Sequence, residues 1–212
     1  MNIKRFQVNP IEENTYIIWD EATCEAAIID CGAWTQAERQ SIADFINNEG
    51  LHLRMALQTH AHFDHIFGLP WLYEQYGLRP RMHAQEEAIY YAMPDMVRQF
   101  GIRMSGSLPR PDEFLTNGER IMLGQAEIRI LHTPGHTPGG VCFHIPGDNL
   151  LLSGDTLFRG SVGRTDLPGG DMEQQIASLH SLLTLPAETT VLPGHGPETT
   201  IGYEAQYNPF AR

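Results

Sequence analysis

Apolar positions along this chain come mostly in short extended blocks, and a few longer stretches carry a helical period. IKRFQV (3–8), NTYIIWD (14–20) and EAAIID (25–30) read as three successive strands. TQAERQSIADFINNEG (35–50) then places Ala37, Ile42, Phe45 and Ile46 on one face and ends at Gly50, the pattern of an amphipathic helix. LRMALQT (53–59) is a further strand, and GLPWLYEQYG (68–77) and AQEEAIYYA (84–92) predict helices. The second half predicts strands at RIMLG (120–124), AEIRILHT (126–133), GVCFHIP (140–146) and NLLLSGD (149–155). A helix at MEQQIASLHSLLTL (172–185), a strand at TTVLPGH (189–195) and a short C-terminal helix come next. Strands precede helices in each half, and turns such as HIPGDNL (144–150) join antiparallel neighbours. The expectation is an α/β protein with one continuous domain over residues 1–212, two mixed sheets packed face to face and helices outside. Residues 93–114 fit this pattern least, being rich in Met, Pro and Arg with poor periodicity; they read as a flap over a site or a structural excursion.

Composition narrows the function classes. A chain of 212 residues with 42% hydrophobic content can bury a sizeable core. A formal net charge of −12, with no basic run, argues against nucleic acid, whose binding rests on phosphate neutralisation by Lys and Arg. The first twenty residues lack the apolar stretch of a signal peptide, and no segment reaches the roughly 18 apolar residues of a membrane span. Cys24, Cys31 and Cys142, odd in number and not closely paired, suit core thiols in a reducing cytosol. A cytoplasmic protein with a small-molecule partner is expected.

The candidate chemistry lies in LQTHAHFDHIFG (57–68), where His60, His62, Asp64 and His65 fall within six positions. Residues two apart in an extended segment share a face, so His60 and His62, just past a strand, can converge on one point. Asp64 and His65 come as the chain turns toward a helix and can address a second point. A single metal takes about three or four protein ligands, so each pair lacks partners. Three other strand ends offer them: His136 in ILHTPGHTPGG, Asp155 in LLLSGDT and His195 in TVLPGHG. Taken singly, a histidine at a strand end is an ordinary hydrogen-bonded residue. Burying three imidazoles and a carboxylate side by side without a metal, however, would be expensive. His60, His62, Asp64, His65, His136, Asp155 and His195 together suit two metal ions sharing one carboxylate. Of the remaining histidines, His132 is close enough in sequence to contact His136.

THAHFDH with His136, Asp155 and His195 resembles the metallo-β-lactamase superfamily over nearly the whole chain. HTPGHTPGG, GDTLFRGSVGRTDLPGGD and the terminal YNPF resemble, within it, the short glyoxalase II-like (hydroxyacylglutathione hydrolase-like) enzymes. The resemblance implies a four-layer αβ/βα sandwich with its site at one edge between the sheets. It implies that His60, His62 and His136 bind one divalent metal, that Asp64, His65 and His195 bind a second, and that Asp155 bridges. Asp30, in IIDCG, would orient a ligand, while Cys31 stands where a proline is usual. Asp64 and Asp155 would be the catalytic carboxylates, and Arg164 would either clasp an acidic substrate tail or pair at the surface with Asp166 or Asp171; Asp166 replaces a tyrosine usual two positions after that arginine. Full-length glyoxalase II enzymes carry a C-terminal helical domain that helps bind glutathione, whereas seventeen residues come after His195 here.

The activity implied is hydrolysis of an S-acylglutathione-type thioester, such as S-lactoylglutathione, through a metal-bridging hydroxide. Zinc is expected, and imidazole with carboxylate also accepts iron or manganese. GRTD (163–166) resembles the iron-dependent persulfide dioxygenases of the same superfamily, which would use His60, His136 and Asp155 alone. A non-enzymatic metal module would need no open coordination position, whereas seven ligands for two metals leave positions for water.

Overall fold

The computed structural model describes residues 1–99 and 101–212. The first sheet begins with strands β1 (Asn2–Val8), β2 (Glu13–Trp19) and β3 (Glu25–Ile29), then helix α1 (Gln36–Asn48) and strand β4 (His52–Leu57). Helices α2 (Phe63–Ile66) and α3 (Leu69–Tyr76), strand β5 (Pro80–His83), helix α4 (Glu87–Gln99) and strand β6 (Phe114–Leu115) come next. The second sheet brings β7 (Arg120–Leu123), β8 (Ala126–His132), β9 (Val141–Ile145) and β10 (Leu150–Gly154). A small hairpin of β11 (Leu157–Phe158) and β12 (Ser161–Val162) precedes α5 (Met172–Leu182), β13 (Thr190–Pro193), β14 (Thr199–Thr200) and α6 (Ile201–Tyr207).

The sheets run β1-β2-β3-β4-β5-β6 and β14-β13-β10-β9-β8-β7. Both are mixed: β3, β4, β5 and β6 pair in parallel, as do β10 and β13, and the other neighbours are antiparallel. Strand alternation divides the core into layers. Tyr16, Ile18, Ala27 and Ile29 of the first sheet meet Ile128, Ile130, Phe143 and Leu152 of the second in the central layer. Their neighbours Ile17 and Ile28 face the other way, onto Ile42, Ile46, Leu69, Leu72 and Tyr90 of the helices. On the far side, Cys142, Leu151 and Val191 pack on Leu179 and Leu182 of α5 and Ile201 of α6. The result is the four-layer αβ/βα sandwich. Among the described residues, no helix is long and apolar enough to cross a membrane.

The elements the pattern omits, β5, β6, β11, β12 and β14, have two to four residues, too few for a period to register. The segment 93–114 divides: its first residues complete α4, with Pro94 inside the helix. Phe100 lies outside the described residues. The remainder is fastened to the helical layer: Tyr90 Oη donates to the Pro109 carbonyl at 2.7 Å, Arg39 reaches Ser105, and Met104 and Leu108 pack on the core. These contacts match the structural excursion.

Candidate metal centre

All seven candidate residues converge at one edge, where backbone hydrogen bonds lace the sheets together. Val141 N–H donates to the Thr59 carbonyl at 2.9 Å and Asn14 N–H to the Gly194 carbonyl at 2.7 Å. The chain leaving β4 stays extended to His62 (φ −66°, ψ 151°), so the rings of His60 and His62 converge with centroids 4.8 Å apart. The single turn of α2 then buries Asp64 and His65. The β8–β9 connection brings in His136, whose Nε2 lies 2.8 Å from His62 Nδ1. Asp155 comes directly after β10, and His195 shortly after β13. Gly194 allows the crowding: a Cβ there would collide with the Asp155 carboxylate and lie 2.8 Å from His65 Cε1.

The seven residues form two three-donor groups, His60–His62–His136 and Asp64–His65–His195, each with donor atoms within 4.8 Å of one another. Asp155 touches both: Oδ2 lies 3.6 Å from His136 Nε2 and 3.7 Å from His195 Nε2, and Oδ1 lies 3.4 Å from His65 Nε2. Asp30, His60 and His65 make a further grouping behind them.

Hydrogen bonds at Nδ1 aim several rings. His136 Nδ1 donates to the Arg164 carbonyl at 2.7 Å and His195 Nδ1 to the Ile11 carbonyl at 3.2 Å. A carbonyl only accepts, so when these two rings are neutral their lone pair lies on Nε2, toward the centre; His195 Nε2 also faces Asp64 Oδ2 at 3.1 Å. His65 Nδ1 is held by Asp30 Oδ2 at 3.1 Å, and His60 Nδ1 by Thr59 Oγ1 at 3.0 Å. Asp30 (φ +50°) is itself fixed by Thr59 N–H at 2.7 Å and Thr59 Oγ1 at 2.5 Å.

His60 Nε2, His65 Nε2 and Asp155 Oδ1 are buried without any hydrogen-bond partner. Native proteins rarely strand buried polar atoms, so three orphans facing one point fit a cation. Protonation agrees. Burial, with the surrounding imidazoles, holds His60 well below the usual imidazole range and His62 down at about 4, leaving both neutral for ligation. Burial opposes ionisation of Asp64 and Asp155, yet neighbouring histidines outweigh it and hold both carboxyls below their ordinary value. Burial also opposes charge on His65, but Asp64 and Asp155 push its value well up.

One sequence expectation lands elsewhere. His132 does not meet His136; its Nε2 faces the Pro138 carbonyl at 3.0 Å and its ring stacks on His83 at 4.2 Å. The Arg164 side chain is exposed and grips Asp166 through Nε and an Nη at 2.7 and 2.6 Å, while its carbonyl serves His136. Sequence reasoning missed Glu13, fully buried with Oε1 3.8 Å from His65 Nδ1 and its carboxyl raised by burial. It also missed Glu86, whose buried carboxylate accepts from the backbone beside His60 and His62. An acid opening a strand whose other residues are nearly all buried was the available signal for Glu13.

A family model described as the metallo-beta-lactamase superfamily matches residues 8–195. The chain belongs to the metallo-β-lactamase superfamily. Among its relatives, a probable metallo-hydrolase YqgX of Bacillus subtilis is 37% identical over 99% of this chain and 97% of its own. Hydroxyacylglutathione hydrolase GloC of Haemophilus influenzae is 36% identical over 99% of this chain and 98% of its own. Solved structures agree in fold. BLEG-1 B3 metallo-beta-lactamase superposes with a TM-score of 0.88 at 36% identity, covering 99% of both chains. TTHA1623 in a di-iron-bound form gives 0.87 at 38% identity, covering 98% of this chain and 99% of that one. ETHE1 from Myxococcus xanthus gives 0.81 at 27% identity, covering 100% and 85%. The histidine and aspartate groups of this superfamily member suit a dinuclear metal centre.

Proposed function

We propose that the protein is a metal-dependent thioesterase acting on S-acylglutathione-type thioesters such as S-lactoylglutathione. His60, His62 and His136 would hold one divalent cation, Asp64, His65 and His195 another, and Asp155 would be shared. The observation that carries this reading is the pair of three-donor groups meeting at Asp155. Two divalent cations, when bound, supply a hydroxide nucleophile near neutral pH and Lewis acidity toward the developing oxyanion. The chain's part is to hold that chemistry in place. Asp64 and Asp155, ionised at neutral pH, offset cationic charge, and the carbonyls of Arg164 and Ile11 lock two imidazoles in their ligating tautomer. A thiolate leaves readily, its thiol having a pKa near 8.5, so no strong general acid is needed. The Haemophilus relative, named for such a thioester, supports the substrate class. Zinc is the proposed metal, with iron or manganese accommodated by the same donors.

A second reading, an iron-dependent persulfide dioxygenase, draws on GRTD and the likeness to ETHE1. It would employ His60, His136 and Asp155 and give His62, Asp64, His65 and His195 no coordination role, which is why hydrolysis is preferred. The test supplies metal-loaded protein with S-lactoylglutathione without oxygen, then iron-loaded protein with glutathione persulfide while dissolved oxygen is monitored. Chelator-sensitive thioester loss under anaerobic conditions is expected. Oxygen uptake with sulfite release, and no thioester cleavage under any metal, would overturn the reading.

A further inference from the structure

Glu86 lies outside both three-donor groups, in the short 3₁₀ turn (Ala84–Glu86) after β5, and is fully buried. Among the described residues it forms no ion pair with Lys, Arg or His. Its two oxygens are instead divided between two loops. Oε2 accepts from Ala61 N–H at 2.7 Å, and Oε1 accepts from Gly139 N–H at 2.8 Å. Ala61 sits between His60 and His62, and Gly139 lies three residues beyond His136. The approach at Gly139 is so close that a Cβ there would come within 2.8 Å of Glu86 Cγ. One buried carboxylate therefore ties the loop carrying His60 and His62 to the loop carrying His136, and neither loop has regular secondary structure at those points.

We infer that Glu86 is a positioning residue, which fixes the spacing of His60 and His62 relative to His136 and so sets the affinity of the three-imidazole group for its cation. Hydrogen bonds to an ionised acceptor are about twice as strong as neutral ones, so one side chain can hold two loops. Ligand sites tolerate only about 0.5 Å of misplacement before function falls. The other three-donor group has separate supports, Asp30 and the Ile11 carbonyl, so loosening Glu86 acts on one group only. The inference rests on the metal-binding reading of the His60–His62–His136 group.

The test uses Glu86→Gln and Glu86→Asp in the full chain. A glutamine offers one acceptor, and its NH₂ faces a backbone N–H, releasing one loop; an aspartate keeps the charge but is one methylene too short to reach both. Chelator-stripped proteins are titrated with zinc against a chromophoric competitor, which reads the affinity of each binding event. Wild type is expected to bind two ions, and each variant to bind one of them about 10–100-fold more weakly with the other unchanged, the range seen for outer partners of metal ligands. In a His195→Ala background, where only the three-imidazole group is complete, the remaining event is the one that weakens. Unchanged affinities in both variants would overturn the role of Glu86 while leaving the function reading intact. Equal weakening of both events would make Glu86 a general support of the fold and overturn it too. A wild-type chain that binds no zinc, iron or manganese would remove both.

Discussion

Asp155 is surrounded by imidazoles from both three-donor groups, its two carboxylate oxygens lying 3.4 to 3.7 Å from His65, His136 and His195. Removing its carboxylate takes away a charge and a shared position together. Asp155→Ala is predicted to keep a native circular dichroism spectrum while thioester turnover falls by more than ~100-fold, since even outer partners of ligands are worth 10–100-fold. Undiminished hydrolysis would show that Asp155 is not shared. Arg164 presents a different situation. Its guanidinium is already engaged by Asp166, so an acidic substrate tail must compete with that carboxylate. Asp166→Ala is therefore predicted to lower KM for a glutathione thioester, and Arg164→Ala to raise it, with kcat changed less in both. Parallel changes in the two variants would leave Arg164 a surface residue whose backbone alone matters.

At the scale of elements, the site is assembled from loops that leave rigid strand ends: those after β4, β8, β10 and β13 supply every donor. The β11–β12 hairpin brings Phe158 within 6.2 Å of the His195 ring, and it is held from the C-terminal side. Glu204 of α6, fully buried, accepts from Gly160 N–H at 2.9 Å, and Asn208 Nδ2 donates to the Ser161 carbonyl at 3.2 Å and to Glu204 at 2.8 Å. Asn208 of YNPF, with Glu204, is thus a clamp on that hairpin. Asn208→Ala is predicted to cost about 1–3 kcal/mol, read as a lower denaturant midpoint at constant slope, because it removes a donor from the Ser161 carbonyl and one from the buried Glu204 carboxylate. No change would mean that water replaces the amide. This clamp was invisible in sequence, where YNPF registered only as a likeness. A motif reports which residues recur, whereas a hydrogen bond to the backbone of a hairpin 47 residues away has no local signature.

Across the whole molecule, legibility tracks the range of the interaction. The sandwich could be read because alternation in strands such as β2 and β3 assigns each side chain to a layer. The convergence of the seven candidate residues could be read because metal ligation would need rare residue types at strand ends. Glu86 could not, because a carboxylate that serves backbone N–H groups across the fold resembles any surface acid in sequence. Each three-donor group also straddles the two sheets, with two donors from the chain after β4 and the third from the opposite sheet; His62 and His136 are 74 residues apart, and Asp64 and His195 are 131 apart. Metal at ~100 times its dissociation constant is predicted to add about 2.7 kcal/mol per site, and hence to raise the melting temperature by about 5–10 °C per site, checked by calorimetry with and without chelator. An unchanged melting temperature would exclude ligation across the sheets. Ligation of this kind joins stretches far apart in sequence, and because only the folded chain brings the three donors together, bound metal stabilises the folded state by mass action. The reaction centre would then also be the fastener of the molecule: protease resistance would rise and fall with metal supply, and a metal-starved cell would hold a shorter-lived protein as well as an idle one.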